Sequence, residues 1–133
     1  MATIVHFDLS TNDLSRAKNF YEILFNWKCT KLPVPTNCHL IETKDLQGQN
    51  GVGGAMSKRE NAQQTGITNF FGVAPIDDAL KKAQELGGTI VQPKQTMSGW
   101  GYLAVCTDTE NNLFGIFQEE EKSVQNAETS NIP

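Results

Sequence analysis

The sequence contains no run of apolar residues that approaches the roughly 18 needed for a membrane-spanning helix. Positive charge is also scarce, because 11 Lys and Arg residues face 15 Asp and Glu residues and leave a formal net charge of −4. Phosphate binding needs clustered basic side chains, so this balance argues against nucleic-acid partners. The first ten residues, MATIVHFDLS, lack the charged and apolar segments of a secretion signal. We therefore expect a cytoplasmic protein without nucleic-acid or membrane partners.

Cysteine is also rare in this chain. Its three residues, Cys29, Cys38 and Cys106, are an odd number and have no C-x-x-C spacing. This pattern favours reduced, buried thiols over a disulfide framework. A chain of 133 residues is nevertheless long enough to bury a core without disulfides or a structural metal.

The first predicted strand begins at residue 4. Apolar and polar residues alternate there with the period of a half-buried strand. Val5, Phe7 and Leu9 are expected to face a core, and His6 and Asp8 to face the opposite side.

A helix is predicted directly after this strand, over residues 13–25. Asn12 is the expected N-cap, and Asp13 suits the positive end of the helix dipole. The helix then carries an apolar stripe with helical spacing: Leu14, Ala17, Tyr21, Leu24 and Phe25.

The same order of elements occurs twice along the chain. Three strands are predicted after the first helix, over residues 27–32, 39–43 and 52–57, with the glycine-rich GQNGVGG marking a turn or a close backbone approach. A strand over 67–73, a helix over 76–86 and strands over 89–91, 99–107 and 113–119 follow, with Gly87 as the helix C-cap. The chain is thus predicted to form one domain over residues 1–120, made of two β-α-β-β-β modules at about 1–63 and 64–120. Residues 121–133 form a polar tail that we expect to be disordered.

This order predicts an α+β fold. Two such modules would form a curved mixed sheet with the helices on the outer face and an open concave face inside. His6 and Asp8 would point into that concavity, and a concave surface with a few polar groups is the usual form of a small-molecule site.

Three segments carry a resemblance to a known family. They are HFDLSTNDLSRAKNFYEILFNWK, GVAPIDDALKKAQELGGTIV and SGWGYLAVCTDTENNLFGIFQ. In order and spacing they resemble the vicinal oxygen chelate superfamily, which includes glyoxalase I, extradiol dioxygenases and bleomycin-resistance proteins. The resemblance covers about residues 4–119 and implies the fold, but not one reaction, since the superfamily contains lyases, epimerases, dioxygenases and non-catalytic binding proteins.

The resemblance also implies where a metal would be held. Metal-dependent members use four His, Gln or Glu side chains, one on each of four cleft strands. His6 matches the first position, GVGGAM offers no donor for the second, and the third and fourth fall at about Thr68 and Gly115. Zinc, iron or manganese needs at least three protein donors, so we expect no metal and no other cofactor.

Three roles remain open for His6. It is a metal ligand, a polar member of a metal-free cleft, or a histidine with a purely structural hydrogen bond. Asp8 lies on the same face and would orient the imidazole as in a general-base pair, which makes His6 and Asp8 the candidate catalytic residues. The alternative is an Asp that is simply solvated at the mouth of the cleft.

Four further residues are candidates for the wall of the cleft. Thr68 and Phe70 share one side of a predicted strand, and Trp100 and Tyr102 share one side of another. Aromatic rings here would hold a flat or apolar ligand, but core packing is an equal alternative. Cys38 with His39 is too small a set to indicate a metal site.

Three classes of function follow. The favoured one is a binding protein, similar to the bleomycin-resistance branch, that holds a small organic molecule in the cleft without a metal. The second is a metal-dependent lyase or dioxygenase of the same superfamily, and the third is a partner-binding module. By analogy with single-domain relatives, we expect a homodimer.

Overall fold

A computed structural model describes residues 1–33, 37–60 and 66–120. The elements in chain order are β1 (Ile4–Thr11), α1 (Leu14–Phe25), β2 (Lys28–Lys31), β3 (Cys38–Glu42), β4 (Gly53–Lys58), β5 (Ile67–Gly72), α2 (Ile76–Glu85), β6 (Thr89–Met97), β7 (Gly101–Thr107) and β8 (Leu113–Glu119). This order confirms the α+β class and the predicted β-α-β-β-β repeat. The expected tail over 121–133 lies outside the described residues.

The chain forms two compact units. The N-terminal unit is Ile4–Phe70, and the C-terminal unit joins Met1–Thr3 to the chain from Phe71 onward. The division falls inside β5, whereas the predicted modules met near residue 63. The assignment of residues 1–120 to a single domain stays a prediction.

In the N-terminal unit, α1 covers one face of four strands in the order β2-β3-β4-β1. β1 runs parallel to β4, from His6 opposite Gly53 to Thr11 opposite Lys58, and the other two pairings are antiparallel. The core under the helix contains Leu9, Cys29, Ile41 and Met56, with Phe7, Leu14, Ala17, Tyr21 and Trp27 packed against them. The alternation in β1 therefore places Phe7 and Leu9 as predicted, while Val5 is exposed.

Helix α1 begins one residue later than predicted. Its N-cap is Asp13 and not Asn12, because the Asp13 side chain accepts a hydrogen bond from the backbone N–H of Arg16 at 3.0 Å. The helix ends at Asn26, which adopts a left-handed conformation with φ of 61°. The predicted range was correct to within one residue because both ends carry residues that favour helix termini.

In the C-terminal unit, α2 packs against β8, β7 and β6, which pair in that order. Its core contains Ile76, Leu80, Ala104, Cys106 and Ile116. Strand β6 is six residues longer than predicted, and register shifts between Ile90 and Gln95 accommodate Pro93. An edge strand tolerates proline and bulges in this way, so Pro93 does not end it.

All three cysteines are free, as predicted, with Cys29 and Cys106 buried and Cys38 partly buried. Burial raises the pKa of each thiol above its ordinary value. Within the described residues, neither helix is long and apolar enough to cross a membrane.

His39 on β3 provides a test of this fold. Its side chain is 9% exposed and its Nδ1 has no hydrogen-bond partner. Burial lowers the pKa of His39, and the positive charges of Lys18 and Lys31 lower it further, against the opposing effect of Glu22. The folded protein therefore holds this imidazole neutral at a pH where the unfolded chain protonates it.

The free energy of unfolding should then fall as the pH drops below about 6.5, with a contribution from His39 of up to about 1.4 kcal/mol per pH unit. In His39→Leu, urea unfolding between pH 8 and pH 5 should show a smaller fall than in the wild type. His6→Gln, which changes the only other histidine, is the control and should keep the fall. An unchanged pH dependence in His39→Leu would contradict this account.

Candidate functional site

The candidate site lies on the face of β1 that points away from α1. Because side chains alternate along a strand, burying Phe7 and Leu9 under the helix turns His6 and Asp8 to the other side. There His6 Nε2 lies 2.7 Å from Asp8 Oδ1, and the two side chains are 30% and 44% exposed. The predicted pair is therefore a direct hydrogen bond, open to solvent on one side.

The pairing fixes the proton on the imidazole. An ionised carboxylate only accepts hydrogen bonds, so the Nε2 of a neutral His6 must carry the hydrogen. Nδ1 is then left with a lone pair that can accept a hydrogen bond or a proton.

Phe70 on β5 holds the other side of the imidazole. The two ring centroids are 5.5 Å apart at 70°, which is an edge-to-face contact. Phe70 is only 2% exposed, so it supports His6 and presents almost no surface of its own. Thr68, two residues earlier on β5, is half-buried.

Strand pairing adds side chains to this face that the sequence did not reveal. Ala55 and Leu40 continue the row that begins at Asp8, and Ser57 and Cys38 continue the row from Ser10. The pKa of Cys38 is raised by burial and by the nearby Asp8 charge, so the thiol stays protonated. We call this surface, formed by His6, Asp8, Leu40, Ala55 and Ser57, the His6 face.

Trp100 and Tyr102 lie in the C-terminal unit, and they do not share one side of β7 as the sequence predicted. Tyr102 packs against the core under α2, with Lys94 Nζ 4.7 Å from its ring centroid. Trp100 precedes β7 and is 51% exposed. Its N–H bonds to Met97 O in a turn where Gly99 and Gly101 have positive φ, so the predicted alternation does not extend to it.

The donors needed for a metal site are not grouped in the described parts of the chain. No cluster of three or more His, Cys, Asp or Glu is found there. Of the positions implied by the resemblance, only His6 carries a strong donor, and Gly53 lies opposite it on β4. Cys38 and His39 are consecutive on β3, so their side chains point to opposite sides of the strand. His39 is on the buried side. The described residues supply one of the four donors that the resemblance implies, a set that does not fit the family's metal.

Comparisons with known proteins agree on the fold. Residues 3–116 match the family model described as the Glyoxalase/Bleomycin resistance protein/Dioxygenase superfamily. A Mycobacterium bovis protein described as a glyoxylase, CFP32, is 26% identical over 115 residues, which is 84% of this chain. The chain spans 43% of the length of this relative and of its Mycobacterium tuberculosis counterpart.

Solved structures are similar at lower sequence identity. A superfamily member from Vibrio splendidus 12B01 gives a TM-score of 0.62 at 14% identity, over 90% of this chain and 100% of the other. A methylmalonyl-CoA epimerase in complex with methylmalonyl-CoA and NH4+ gives 0.65 at 14% identity, over 90% and 95%. At these identities the likeness shows the fold alone.

The geometry predicts that His6 and its neighbour Phe7 differ in their contribution to stability. His6→Ala removes a partly exposed hydrogen bond and should lower the free energy of unfolding by about 1 kcal/mol or less. Phe7→Ala empties a position packed against Trp27 and should cost about 3 kcal/mol. Urea unfolding of the two variants measures the difference. Equal losses would mean that His6 is chiefly structural.

Proposed function

The chain belongs to the glyoxalase/bleomycin resistance protein/dioxygenase superfamily, and we propose that it binds a small organic molecule on the His6 face without a metal. The observation that carries this proposal is the 2.7 Å hydrogen bond between His6 and Asp8. This bond occupies Nε2 of His6, the one residue that matches a predicted metal-ligand position. The imidazole is thereby oriented for hydrogen bonding or proton transfer.

The surroundings of the pair suggest what kind of molecule would bind. A hydroxyl or N–H group of the ligand would donate to His6 Nδ1, since that nitrogen holds the lone pair. An apolar body would then lie along Ala55 and Leu40, which follow Asp8 across the strands. We therefore propose an amphipathic ligand with one acidic or hydroxyl group at its polar end.

The same pair would give the site acid–base capacity. Nδ1 of His6 would accept a proton from a bound group, and Asp8 would hold the ring in the orientation that this transfer needs. Cys38 stays a thiol and is not proposed as a nucleophile, because burial and the Asp8 charge both raise its pKa. Binding with or without proton transfer is thus the proposed activity.

The alternative is a metal-dependent lyase or dioxygenase. It is favoured by the similarity to a protein described as a glyoxylase and by the presence of His6 at the first ligand position of the resemblance. It would use Nδ1 of His6 as the ligand, with the other ring nitrogen held by Asp8, and it requires at least two further protein donors to approach that nitrogen. Within the described residues, only His6 carries a strong donor at an implied ligand position, and a metal-dependent enzyme is therefore the second candidate.

Metal analysis separates the two candidates. Protein purified without added metal should carry far less than one equivalent of Zn, Ni, Fe or Mn per chain, because a single strong donor binds weakly. Elemental analysis of the wild type and of His6→Ala provides the measurement. Stoichiometric metal in the wild type that is lost in His6→Ala would establish the alternative.

A ligand screen tests the binding proposal itself. Aromatic and amphipathic small molecules that bind should raise the melting temperature with increasing concentration. The rise should shrink in His6→Ala and in Asp8→Asn, and persist in His39→Leu, which changes the histidine on the opposite face. Ligands that stabilise all four proteins equally would show that the His6 face is not the site.

We also propose a homodimer. Four large apolar side chains of α1 are well exposed in the single chain: Phe20, Ile23, Leu24 and Phe25. Such a surface favours self-association. Light scattering at high micromolar concentration should give twice the mass of one chain, and the mass of a single chain would contradict the proposal.

A further inference from the structure

An arginine lies at one end of the His6 face. Ala55 and Ser57 on β4 belong to this face, and the alternation of side chains continues from them to Arg59, directly after the strand. The backbone N–H of Arg59 bonds to Thr11 O at 2.6 Å, so the pairing of β1 with β4 extends to this residue. Arg59 therefore lies at the opposite end of the face from His6.

Ser10 holds the guanidinium group of Arg59 on this side of β1. Ser10 follows His6 and Asp8 on the same side of the strand. Arg59 donates from Nε to Ser10 Oγ at 3.5 Å and from Nη2 to Ser10 O at 3.1 Å. Both bonds use one edge of the planar group, and a guanidinium has five N–H donors. The edge formed by Nη1 and Nη2 therefore keeps donors that none of the hydrogen bonds between described residues uses.

The positive charge of Arg59 has no carboxylate partner in the part of the chain that the structure describes. The ion pairs found there involve other residues, and the only other arginine, Arg16, lies beside Asp13. Arg59 is nevertheless partly buried. Charges that are withdrawn from water are usually paired in proteins. This guanidinium group therefore indicates a site for an anion.

The two ends of the His6 face differ in charge. The Asp8 carboxylate would repel an anion from the His6 end, whereas Nδ1 of His6 can accept a hydrogen bond from a hydroxyl group. A ligand would therefore place its acid group at Arg59 and its hydroxyl group at His6. Since His6 and Ser10 are four residues apart on a strand and the imidazole leans toward Asp8, the two groups would be on the order of 10 Å apart.

We propose that Arg59 is the specificity-determining residue of the His6 face and that the ligand is an organic carboxylate with a hydroxyl group at its far end. The fork of Nη1 and Nη2 would bind both carboxylate oxygens, which the single ammonium of a lysine cannot do. Ala55 and Leu40 would contact the apolar body between the two polar groups. This inference rests on the proposed function, because it assigns the class of ligand to the same face.

The experiment measures the affinities of four probes for the full chain by calorimetric titration at constant ionic strength. The probes are 4-hydroxycinnamate, 4-hydroxycinnamamide, cinnamate and cinnamamide. At neutral pH the carboxylate is ionised and the phenol is not. The wild type should bind 4-hydroxycinnamate about tenfold more tightly than its amide, because only the acid forms charge-assisted hydrogen bonds with Arg59.

Variants of the two arginines assign this preference. Arg59→Gln should bring the ratio of the acid and amide affinities to about one, and Arg59→Lys, which keeps the charge but not the fork, should give about threefold. Arg16→Gln is the control, since it removes the arginine of the first turn of α1 and should keep the wild-type ratio. The comparison of acid with amide in the wild type does not depend on the stability of any variant.

His6→Ala tests the proposed function separately. It should reduce the preference for 4-hydroxycinnamate over cinnamate and retain the preference for acid over amide. If the hydroxyl preference depends on His6 but the wild type binds acid and amide equally, the role of Arg59 is wrong and the proposed function stands. If the acid preference depends on Arg59 but no probe responds to His6→Ala, the proposed function is wrong and only the carboxylate site stands.

Two further outcomes would overturn the proposal. One is the absence of saturable binding of all four probes to the wild type. The other is a loss of the acid preference in Arg16→Gln that is as large as the loss in Arg59→Gln, because the preference would then reflect the net charge of the chain.

Discussion

The alternation of side chains along β1 is the constraint on which the candidate site depends. Phe7 and Leu9 must face α1 to complete the core, so His6 and Asp8 must face the other way. A slip of one residue would bury the polar pair His6 and Asp8 under the helix and expose two large apolar side chains. The parallel pairing with β4 holds the register, and Gly54 leaves room for the Phe7 ring, which a Cβ at that position would approach to 2.8 Å.

The order of elements was predictable because its causes are local. Alternation marks β1, helical spacing marks both helices, and Gly87, with φ of +101°, follows α2 where a left-handed residue was expected. The sequence also predicted that His6 and Asp8 could interact, since residues two apart on a strand share a face. Where the prediction failed locally, as with Asn12, two adjacent residues were both good caps and the geometry of the turn selected Asp13.

The rest could not be predicted because it depends on distant parts of the chain. The sides assigned to Trp100 and Tyr102 required knowing that β7 begins at Gly101 and which of its faces α2 covers. Ser57 joins the His6 face only through the register between β1 and β4. Likewise Arg59 reaches Ser10 across 49 residues of sequence, so no local pattern indicates this contact.

The choice between the two proposed roles of His6, metal ligand or acid–base histidine, depends on the neighbouring strand. Opposite His6, β4 carries Gly53, which offers no side-chain donor to share a metal with the imidazole. The nearest strong partner is then Asp8 on the same strand, and it engages Nε2 at 2.7 Å. A metal would therefore bind the free Nδ1 of His6 and would find no second ligand at Gly53 across the pair. The proposal of an organic ligand without a metal therefore depends on the small number of donors around His6 in the described residues, and not on the hydrogen bond to Asp8 alone.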